Sequence, residues 1–393
     1  MTSEIVSEDI LLDRGIKALQ AGNTQEAKAT LQSAIDTGVA GAHTWLALAL
    51  AHLVSRELEP AEVAIDKTLE LDPQSIRAHV FKGDICFERE DRQGAATHYG
   101  AALYLSSSIA EPPPAMLSDL QRIAQRQKYL SELFTHHLME QLGREGYRRE
   151  TASERFNKAL DMLLGKYHRP EEDRRYPQAP HVFYMPDIPY HTFYPEESLP
   201  WLKELEQHTD TITAELQTLL THQGASFSPY VHADLGKTGG DHADLLDSDS
   251  WTSAFLWNDG TEVAEVMAQC PRTTELMRTL PICHIKGFLP TVLFSKLSPG
   301  AKIAPHTGML NTRLICHLPL IVPADCGLRV GADTRMTERG KAWAFDDSIN
   351  HEAWNNSREA RIILLFDVWR PELDEQERHL IKTLLEAVQD ARA

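Results

Sequence analysis

Two histidines and one arginine in the last quarter of the chain are the residues whose types and spacing best suit chemistry. His306 and His351 lie 45 positions apart, each beside strand-like sequence, and Arg361 opens the apolar run RIILLFDVW ten positions after the second histidine. Neutral imidazoles are common metal ligands, and a guanidinium pairs well with carboxylates. The pattern therefore indicates a metal held by two imidazoles and an anionic ligand bound by arginine.

The composition is that of a soluble globular protein. The chain has 393 residues, which favours two domains, with 24% charged and 42% hydrophobic residues. A net charge of -18 argues against a nucleic-acid partner, because such binding needs clustered Lys and Arg. Five irregularly spaced cysteines, the absence of a signal-like start and the lack of a long apolar run predict a cytoplasmic protein without a membrane span.

A 34-residue periodicity organises the first third of the chain. Small residues recur at two positions of the period and large apolar residues at two others: Gly15, Ala49 and Gly83; Ala27, Ala61 and Ala95; Leu31, Ile65 and Tyr99; Ile35, Leu69 and Leu103. Small residues let paired helices approach closely, and the large ones fill the layer between stacked pairs. The pattern resembles three tetratricopeptide repeats, at about residues 8–41, 42–75 and 76–109.

Proline-rich sequence follows the repeats. The triplet at residues 112–114 ends the array, and helices predicted at about 116–142 and 154–166 would cap it. Seven prolines then lie among scattered aromatics from His168 to Pro200, where periodicity disappears. We therefore predict an all-α repeat domain with its capping helices at residues 8–169 and a second domain at residues 170–393.

Short β-rich runs fill the region between Ile282 and Trp369. They are TVLFSKL, RLICHLPLIV, GLRVG, KAWAF and RIILLFDVW. Several short strands in a row, with helices only at the flanks and at the C-terminus, predict a double-stranded β-helix, the jelly-roll of cupin-like proteins. The open end of such a fold can hold one metal between strand ends that are distant in sequence.

The usual carboxylate ligand is missing beside the first histidine. Non-haem iron(II) oxygenases commonly use His-x-Asp on one strand and a second His on another, but here the triplet ends in Gly308. Residues 232–234 and 242–244 do spell His-x-Asp, with His232, Asp234, His242 and Asp244. Both triplets lie in a Gly-rich acidic loop without strand character, so we expect them at the mouth of the site rather than on the metal.

The region from about residue 176 to 373 resembles the aspartyl/asparaginyl β-hydroxylase family of 2-oxoglutarate-dependent oxygenases. The resemblance rests on the segments FSKLSPGAKIAPHTGMLNTRL, HLPLIVPADCGLRVGADTR, GKAWAFDDSINHEAWNNS and ILLFDVWRPEL. It implies an iron site of two histidines without the usual carboxylate, and the animal members of the family also carry tetratricopeptide repeats. By this resemblance His306 and His351 ligate Fe(II), while Ser295 and Arg361 hold the distal carboxylate of 2-oxoglutarate.

The same resemblance implies roles for three further positions and shows one departure. His317 matches a residue close to the other carboxylate of the cosubstrate, and Arg313 matches a basic residue near the substrate. Asp347 is similar to an acid that orients a ligating imidazole, although a turn aspartate is the open alternative. Ile315 stands where the animal aspartyl enzymes have a second arginine, and this departure puts specificity for an acidic side chain in doubt.

We therefore expect a dioxygenase that uses Fe(II), 2-oxoglutarate and O2 to hydroxylate an aspartyl/asparaginyl-like side chain of a peptide or protein recruited by the repeats. The alternatives are a hydroxylase of a lipid acyl chain or small molecule, a halogenase that binds a halide in place of the carboxylate, and a non-catalytic repeat scaffold. The lack of a basic amphipathic helix counts against a lipid substrate. Retention of His306, His351, Ser295 and Arg361 counts against a scaffold.

Overall fold

The computed structural model describes residues 8–38, 40–169, 177–221, 227–230 and 248–392. The chain forms two compact units, of which the first ends at His137 and the second begins at Leu138. The sequence instead predicts a boundary near residue 170, and residues 170–176 lie outside the described ones. The predicted helix at 154–166 thus falls in the second unit rather than in the cap of the repeats.

The first unit contains three helical hairpins at the predicted spacing. Its helices are α1 (Glu8–Gln20), α2 (Thr24–Asp36), α3 (Ala42–Val54), α4 (Leu58–Leu71), α5 (Ile76–Glu88) and α6 (Arg92–Ser106). The first helix of each pair begins 34 residues after that of the preceding pair, at Glu8, Ala42 and Ile76. This arrangement confirms the three predicted tetratricopeptide-type repeats.

Close approach within each hairpin explains the small residues of the period. A Cβ atom added to Gly15 would lie 2.6 Å from Leu31, and one added to Gly83 would lie 2.6 Å from the ring of Tyr99. The glycines therefore leave room for the large residue that faces them from the paired helix. The alanines at the second small position are all fully buried: Ala27, Ala61 and Ala95.

Helix α7 (Pro114–Arg144) covers the third hairpin, as predicted for a capping helix. Its residue Ile123 is fully buried in the same cluster as Tyr99. Arg122 and Arg126 donate to Oδ1 of Asp84 on α5, at 2.5 and 2.7 Å. The cap is thus joined to the last repeat by both apolar packing and paired charges.

The described part of the second unit combines helices with eleven strands. Its helices are α8 (Glu154–Leu163), α9 (Trp201–Gln207), α10 (Thr209–Thr221), α11 (Ala264–Gln269), α12 (Pro271–Thr279) and α13 (Glu375–Arg392). Its described strands are β1 (Ser228–Pro229), β2 (Trp251–Asn258), β3 (Thr261–Glu262), β4 (Val292–Leu297), β5 (Lys302–His306), β6 (Arg313–Ile321), β7 (Cys326–Val330), β8 (Asp333–Met336), β9 (Trp343–Phe345), β10 (His351–Asn355) and β11 (Arg361–Trp369).

The strands form two antiparallel sheets. The larger has the order β1-β2-β4-β11-β6-β9, with β3 beside β2, and the smaller has the order β5-β10-β7-β8. Residues from both sheets share one apolar cluster, including Leu297 and Ile315 from the larger sheet and Ile303 and Leu328 from the smaller. The sheets therefore pack face to face, which confirms the predicted double-stranded β-helix.

Helices cover the other face of the larger sheet. A second apolar cluster joins residues of α9 to α12 to the strands, and its members include Leu216, Met277 and Phe366. Helix α8 is held to α13 by an ion pair in which Arg155 Nε donates to Glu377 Oε1 at 2.6 Å. That pair explains why α8 groups with the second unit. Among the described residues, no helix is both long and apolar enough to cross a membrane.

Candidate active site

The two predicted metal ligands lie side by side at the ends of adjacent strands. His306 ends β5 and His351 begins β10, and the two residues are direct partners in the ladder, with ring centroids 4.1 Å apart. Nδ1 of His306 contacts the carbonyl oxygen of Ala304 at 2.8 Å, and Nδ1 of His351 contacts that of Ile349 at 2.9 Å. Since a carbonyl oxygen only accepts, both Nδ1 atoms carry a proton, and in a neutral ring Nε2 is then the lone-pair nitrogen.

Burial keeps the second of these imidazoles neutral. It lowers the pKa of His351 well below its ordinary value, and the neighbouring His306 adds to the effect. A neutral imidazole is the form that ligates a metal. In the described part of the chain, no group of three or more His, Cys, Asp or Glu side chains is arranged to hold a metal. His306 and His351 are groups that would suit a metal, with its other ligands supplied by small molecules.

The position expected for a carboxylate ligand is sterically closed. A Cβ atom on Gly308 would lie 1.9 Å from Oδ2 of Asp347 and 2.3 Å from its Cγ atom. Asp347 itself accepts from Nη2 of Arg313 at 2.9 Å. Because both imidazole Nδ1 atoms donate to backbone carbonyls, the structure does not give Asp347 the hydrogen bond to a ligating imidazole that the resemblance implied.

Arg361 is a buried cation without a described carboxylate partner. It begins β11, its side chain is almost fully enclosed with 2% exposure, and its Nε atom has no hydrogen-bond partner. Burial lowers the pKa of Arg361 to about 10. A buried charge is costly unless it is paired. The geometry is that of a site for an anion.

Ser295 lies beside Arg361 on the neighbouring strand. In the β4–β11 ladder Ser295 faces Ile363 and Arg361 faces Leu297, so the serine and the arginine occupy the same face of the sheet. Trp251 Nε1 donates to Ser295 Oγ at 3.0 Å. Because the hydroxyl oxygen already accepts, its own proton can be donated to a ligand. Sequence reasoning missed Trp251, whose contact depends on the pairing of β2 with β4.

His317 and Ile315 occupy the same face of β6. His317 is buried, with its ring centroid 5.0 Å from that of Phe345. Burial lowers the pKa of His317 well below its ordinary value, and the charge of Arg361 lowers it further. A neutral imidazole therefore stands next to the cationic group. Ile315, two positions earlier, is also buried.

Arg313 is paired with two buried carboxylates. Its Nη2 atom lies 2.9 Å from Asp347 Oδ2 and its Nη1 atom lies 2.6 Å from Asp367 Oδ1. Burial raises the pKa of both carboxyl groups, and the arginine opposes that rise. Asp367 also accepts from the backbone N–H of Thr291 at 2.8 Å. Sequence reasoning missed Asp367, although it is the one acidic residue inside the apolar run of β11.

One cavity of about 140 Å³ brings all seven predicted site residues together. They are Ser295, His306, Arg313, His317, Asp347, His351 and Arg361. The remaining wall is largely apolar and includes Trp251, Ile303, Ile315, Leu328 and Phe345. The rival His-x-Asp triplets, at 232–234 and 242–244, lie outside the described residues. The chemical role of each residue stays a prediction.

Comparison with known proteins identifies the family that the second unit resembles. The family model for Aspartyl/Asparaginyl beta-hydroxylase matches residues 206–371. Human Aspartate beta-hydroxylase domain-containing protein 2 is 29% identical over 208 residues, which cover 52% of this chain and 54% of that protein. Human Aspartyl/asparaginyl beta-hydroxylase is 33% identical over 144 residues, covering 36% of this chain and 18% of that protein.

A bacterial relative has a name that points to a different substrate. Ornithine lipid ester-linked acyl 2-hydroxylase of Rhizobium tropici is 31% identical over 181 residues, covering 45% of this chain and 60% of that protein. The chain spans about half the length of the domain-containing protein 2 relatives that it matches. The matches confirm the resemblance that the sequence motifs indicated.

Proposed function

We propose that this chain is an iron(II)- and 2-oxoglutarate-dependent hydroxylase, a proposal supported by the match of residues 206–371 to the family model for Aspartyl/Asparaginyl beta-hydroxylase. The observation that carries the proposal is the buried Arg361, which lines the same cavity as His306 and His351 and pairs with no described carboxylate. An anion that also chelates a metal would satisfy both features of the cavity. The dicarboxylate 2-oxoglutarate has that chemistry.

The two imidazoles would hold the metal through Nε2, because the backbone carbonyls of Ala304 and Ile349 hold Nδ1. With no carboxylate at Gly308, more coordination positions remain for the cosubstrate, O2 and water. When bound, iron(II) with 2-oxoglutarate and O2 would supply the oxidising chemistry: 2-oxoglutarate yields succinate and carbon dioxide, and one oxygen atom enters the substrate as a hydroxyl group.

The protein residues around the cosubstrate would bind and orient it, and they would exclude water from the cavity. Arg361 and Ser295 would hold the distal carboxylate by a bidentate ion pair and a hydroxyl hydrogen bond. Trp251 fixes the direction of that hydroxyl by donating to its oxygen. The neutral His317 would lie close to the carboxylate at the metal end. Apolar residues such as Leu328 and Phe345 keep bulk water from the cavity.

The first choice of substrate is a side chain of a peptide or protein. Helical repeats of this type present extended surfaces that bind polypeptides, so the first unit would recruit the substrate or a partner. A lipid acyl chain is the second candidate. The named activity of the Rhizobium tropici relative and the apolar Ile315 in the cavity wall favour it.

The proposal is tested by succinate formation. The full chain, purified anaerobically and supplied with iron(II), 2-oxoglutarate and O2, is expected to form succinate slowly even without substrate. Arg361→Gln should abolish this turnover, because the anion loses its cation. Arg358→Gln is the matched control, since Arg358 is exposed in the loop before β11. If the wild-type protein forms no succinate and binds no iron, the proposal is wrong and a non-catalytic repeat scaffold is favoured.

Two further readouts separate the remaining alternatives. A halide-dependent product mass would select a halogenase. Mass spectrometry of peptides and lipids incubated with the enzyme should detect a gain of one oxygen atom, and the class of molecule that gains it distinguishes the two hydroxylase candidates.

A further inference from the structure

At the proposed substrate end of the cavity, the guanidinium of Arg313 is already paired with carboxylates. Arg313 lies within ion-pair distance of Asp347 and of Asp367, and all three side chains are buried. With one or both carboxylates ionised, the net charge of this cluster is zero or negative. An incoming carboxylate would therefore find no net positive charge there.

The rest of the described wall does not change this balance. Arg313 and Arg361 are the cavity-lining residues with a permanent positive charge in the part of the chain that the structure describes. In the proposed function Arg361 is occupied by the cosubstrate. Asp259 also lines the cavity, and its charge contributes to the raised pKa of Asp367. The described wall thus adds no further permanent positive charge.

The next position on the same strand face is apolar. Ile315 lies two residues after Arg313 on β6, so both side chains are on one face of the sheet. Ile315 faces Phe345 on β9 across the ladder, and both line the cavity. This position thus provides apolar contact and no hydrogen-bond donor beside Arg313.

Resting on the proposed function, we propose that the group presented to the metal is uncharged, an amide or an aliphatic carbon, and that the cavity rejects a carboxylate. A substrate carboxylate would have to displace Asp347 or Asp367 from Arg313 and leave that acid buried without its cation. Leaving a buried charge unpaired costs several kcal/mol. An amide avoids this cost because its N–H groups can donate to the same acids, and an aliphatic chain packs against Ile315.

The test compares three probes that differ only in the side chain: the N-acetyl amides of asparagine, leucine and aspartate. The full chain is loaded with manganese(II) and 2-oxoglutarate without O2, and paramagnetic relaxation of the probe side-chain protons is titrated. The asparagine or leucine probe is expected to bind at least about tenfold more tightly than the aspartate probe, a difference of about 1.4 kcal/mol. Equal or tighter binding of the aspartate probe overturns the proposal, and so does relaxation of none of the three.

A variant checks the origin of the selectivity. Ile315→Arg places an additional cation beside the cluster and should raise the affinity for the aspartate probe, whereas Ile315→Leu should leave the order of the probes unchanged. Unchanged selectivity in a folded Ile315→Arg variant would overturn the electrostatic explanation. The relaxation measurement needs a bound metal but no turnover. Failure to form succinate counts against the proposed function and is measured in a separate assay.

Discussion

The carboxylate of Asp347 fills the space that a side chain on residue 308 would need, since a Cβ atom on Gly308 would lie 1.9 Å from Oδ2. Asp347 is in turn held by Arg313, at 2.9 Å. The missing ligand and the buried ion pair are therefore one structural feature. The glycine two positions after His306 is required by this neighbour.

The first prediction moves the carboxylate from position 347 to position 308. Gly308→Asp alone should destabilise the second unit by about 1 to 3 kcal/mol, the usual cost of overpacking. Adding Asp347→Gly to it should restore much of the stability and supply a carboxylate beside His306. Thermal unfolding and manganese(II) titration measure both effects.

The control for the exchange is Asp347→Gly alone. This variant opens the space without filling it and leaves Arg313 paired with Asp367 only. If Gly308→Asp is as stable as wild type, or if the double variant is less stable than both single variants, the steric explanation is wrong.

The second prediction concerns the two imidazoles. His306→Ala and His351→Ala should each lower iron(II) affinity by at least about 100-fold, because each removes one of two protein ligands and a metal-ligand contact is worth several kcal/mol. His379→Ala is the matched control, since His379 is exposed on α13. Metal content after anaerobic dialysis gives the result. Retention of iron by both variants would place the metal elsewhere.

The third prediction uses pH to identify the anion-binding cation. Burial brings the pKa of Arg361 down to about 10. A lysine has an ordinary pKa of roughly 10.4, and the same burial would lower that pKa toward neutral pH. For such a cation the charged form is lost as pH rises through its folded pKa. In Arg361→Lys, KM for 2-oxoglutarate should therefore rise between about pH 7 and 9, while that of wild type changes little.

Arg361→Gln separates this effect from other titrations. It carries no charge at any pH, so its weak cosubstrate binding should be independent of pH over the same range. A flat profile for Arg361→Lys would show that the position does not bind the anion through its charge.

The fourth prediction assigns Trp251 a positioning role. Trp251→Phe keeps the aromatic surface that stacks on Tyr230, with ring centroids 4.2 Å apart, but removes the N–H that donates to Ser295. KM for 2-oxoglutarate should rise about threefold to tenfold, as expected for one neutral hydrogen bond, with kcat little changed. In a Ser295→Ala background the same substitution should have no further effect. Independent, additive effects would contradict the role.

The sequence predicts those elements of the fold that have a recognisable residue pattern within their own segment. The repeats could be predicted because small and large residues recur every 34 positions, and strands β6 and β11 because both faces are buried and almost every residue is apolar. Strands β5 and β8 escaped prediction because their exposed and half-buried residues give no apolar run. Pairing with neighbours, rather than their own residues, makes them strands.

The candidate site shows the same division. His306, His351 and Arg361 could be selected by type and spacing, whereas the family resemblance supplied Ser295 and the roles. The contact of Asp367 with Arg313 and that of Trp251 with Ser295 could not be selected, because each joins strands that become neighbours only in the folded sheet. Proline content predicts the boundary near residue 170, whereas the ion pair of Arg155 with Glu377 links α8 to α13 within the second unit.

The last prediction tests the close packing within a repeat. Gly83→Ala should destabilise the first unit by about 1 to 3 kcal/mol, because the new Cβ would lie 2.6 Å from the Tyr99 ring, and that ring is fully buried and held by its hydroxyl to Asp84 at 2.8 Å. Adding Tyr99→Leu should relieve the clash, since the second repeat already combines alanine with Ile65 at these positions. Denaturant unfolding measures both variants, and Gly100→Ala on α6 is the control, because its Cβ would meet nothing closer than 3.8 Å. If Gly83→Ala and Gly100→Ala unfold at the same denaturant concentration, the glycine is not required by the approach of Tyr99.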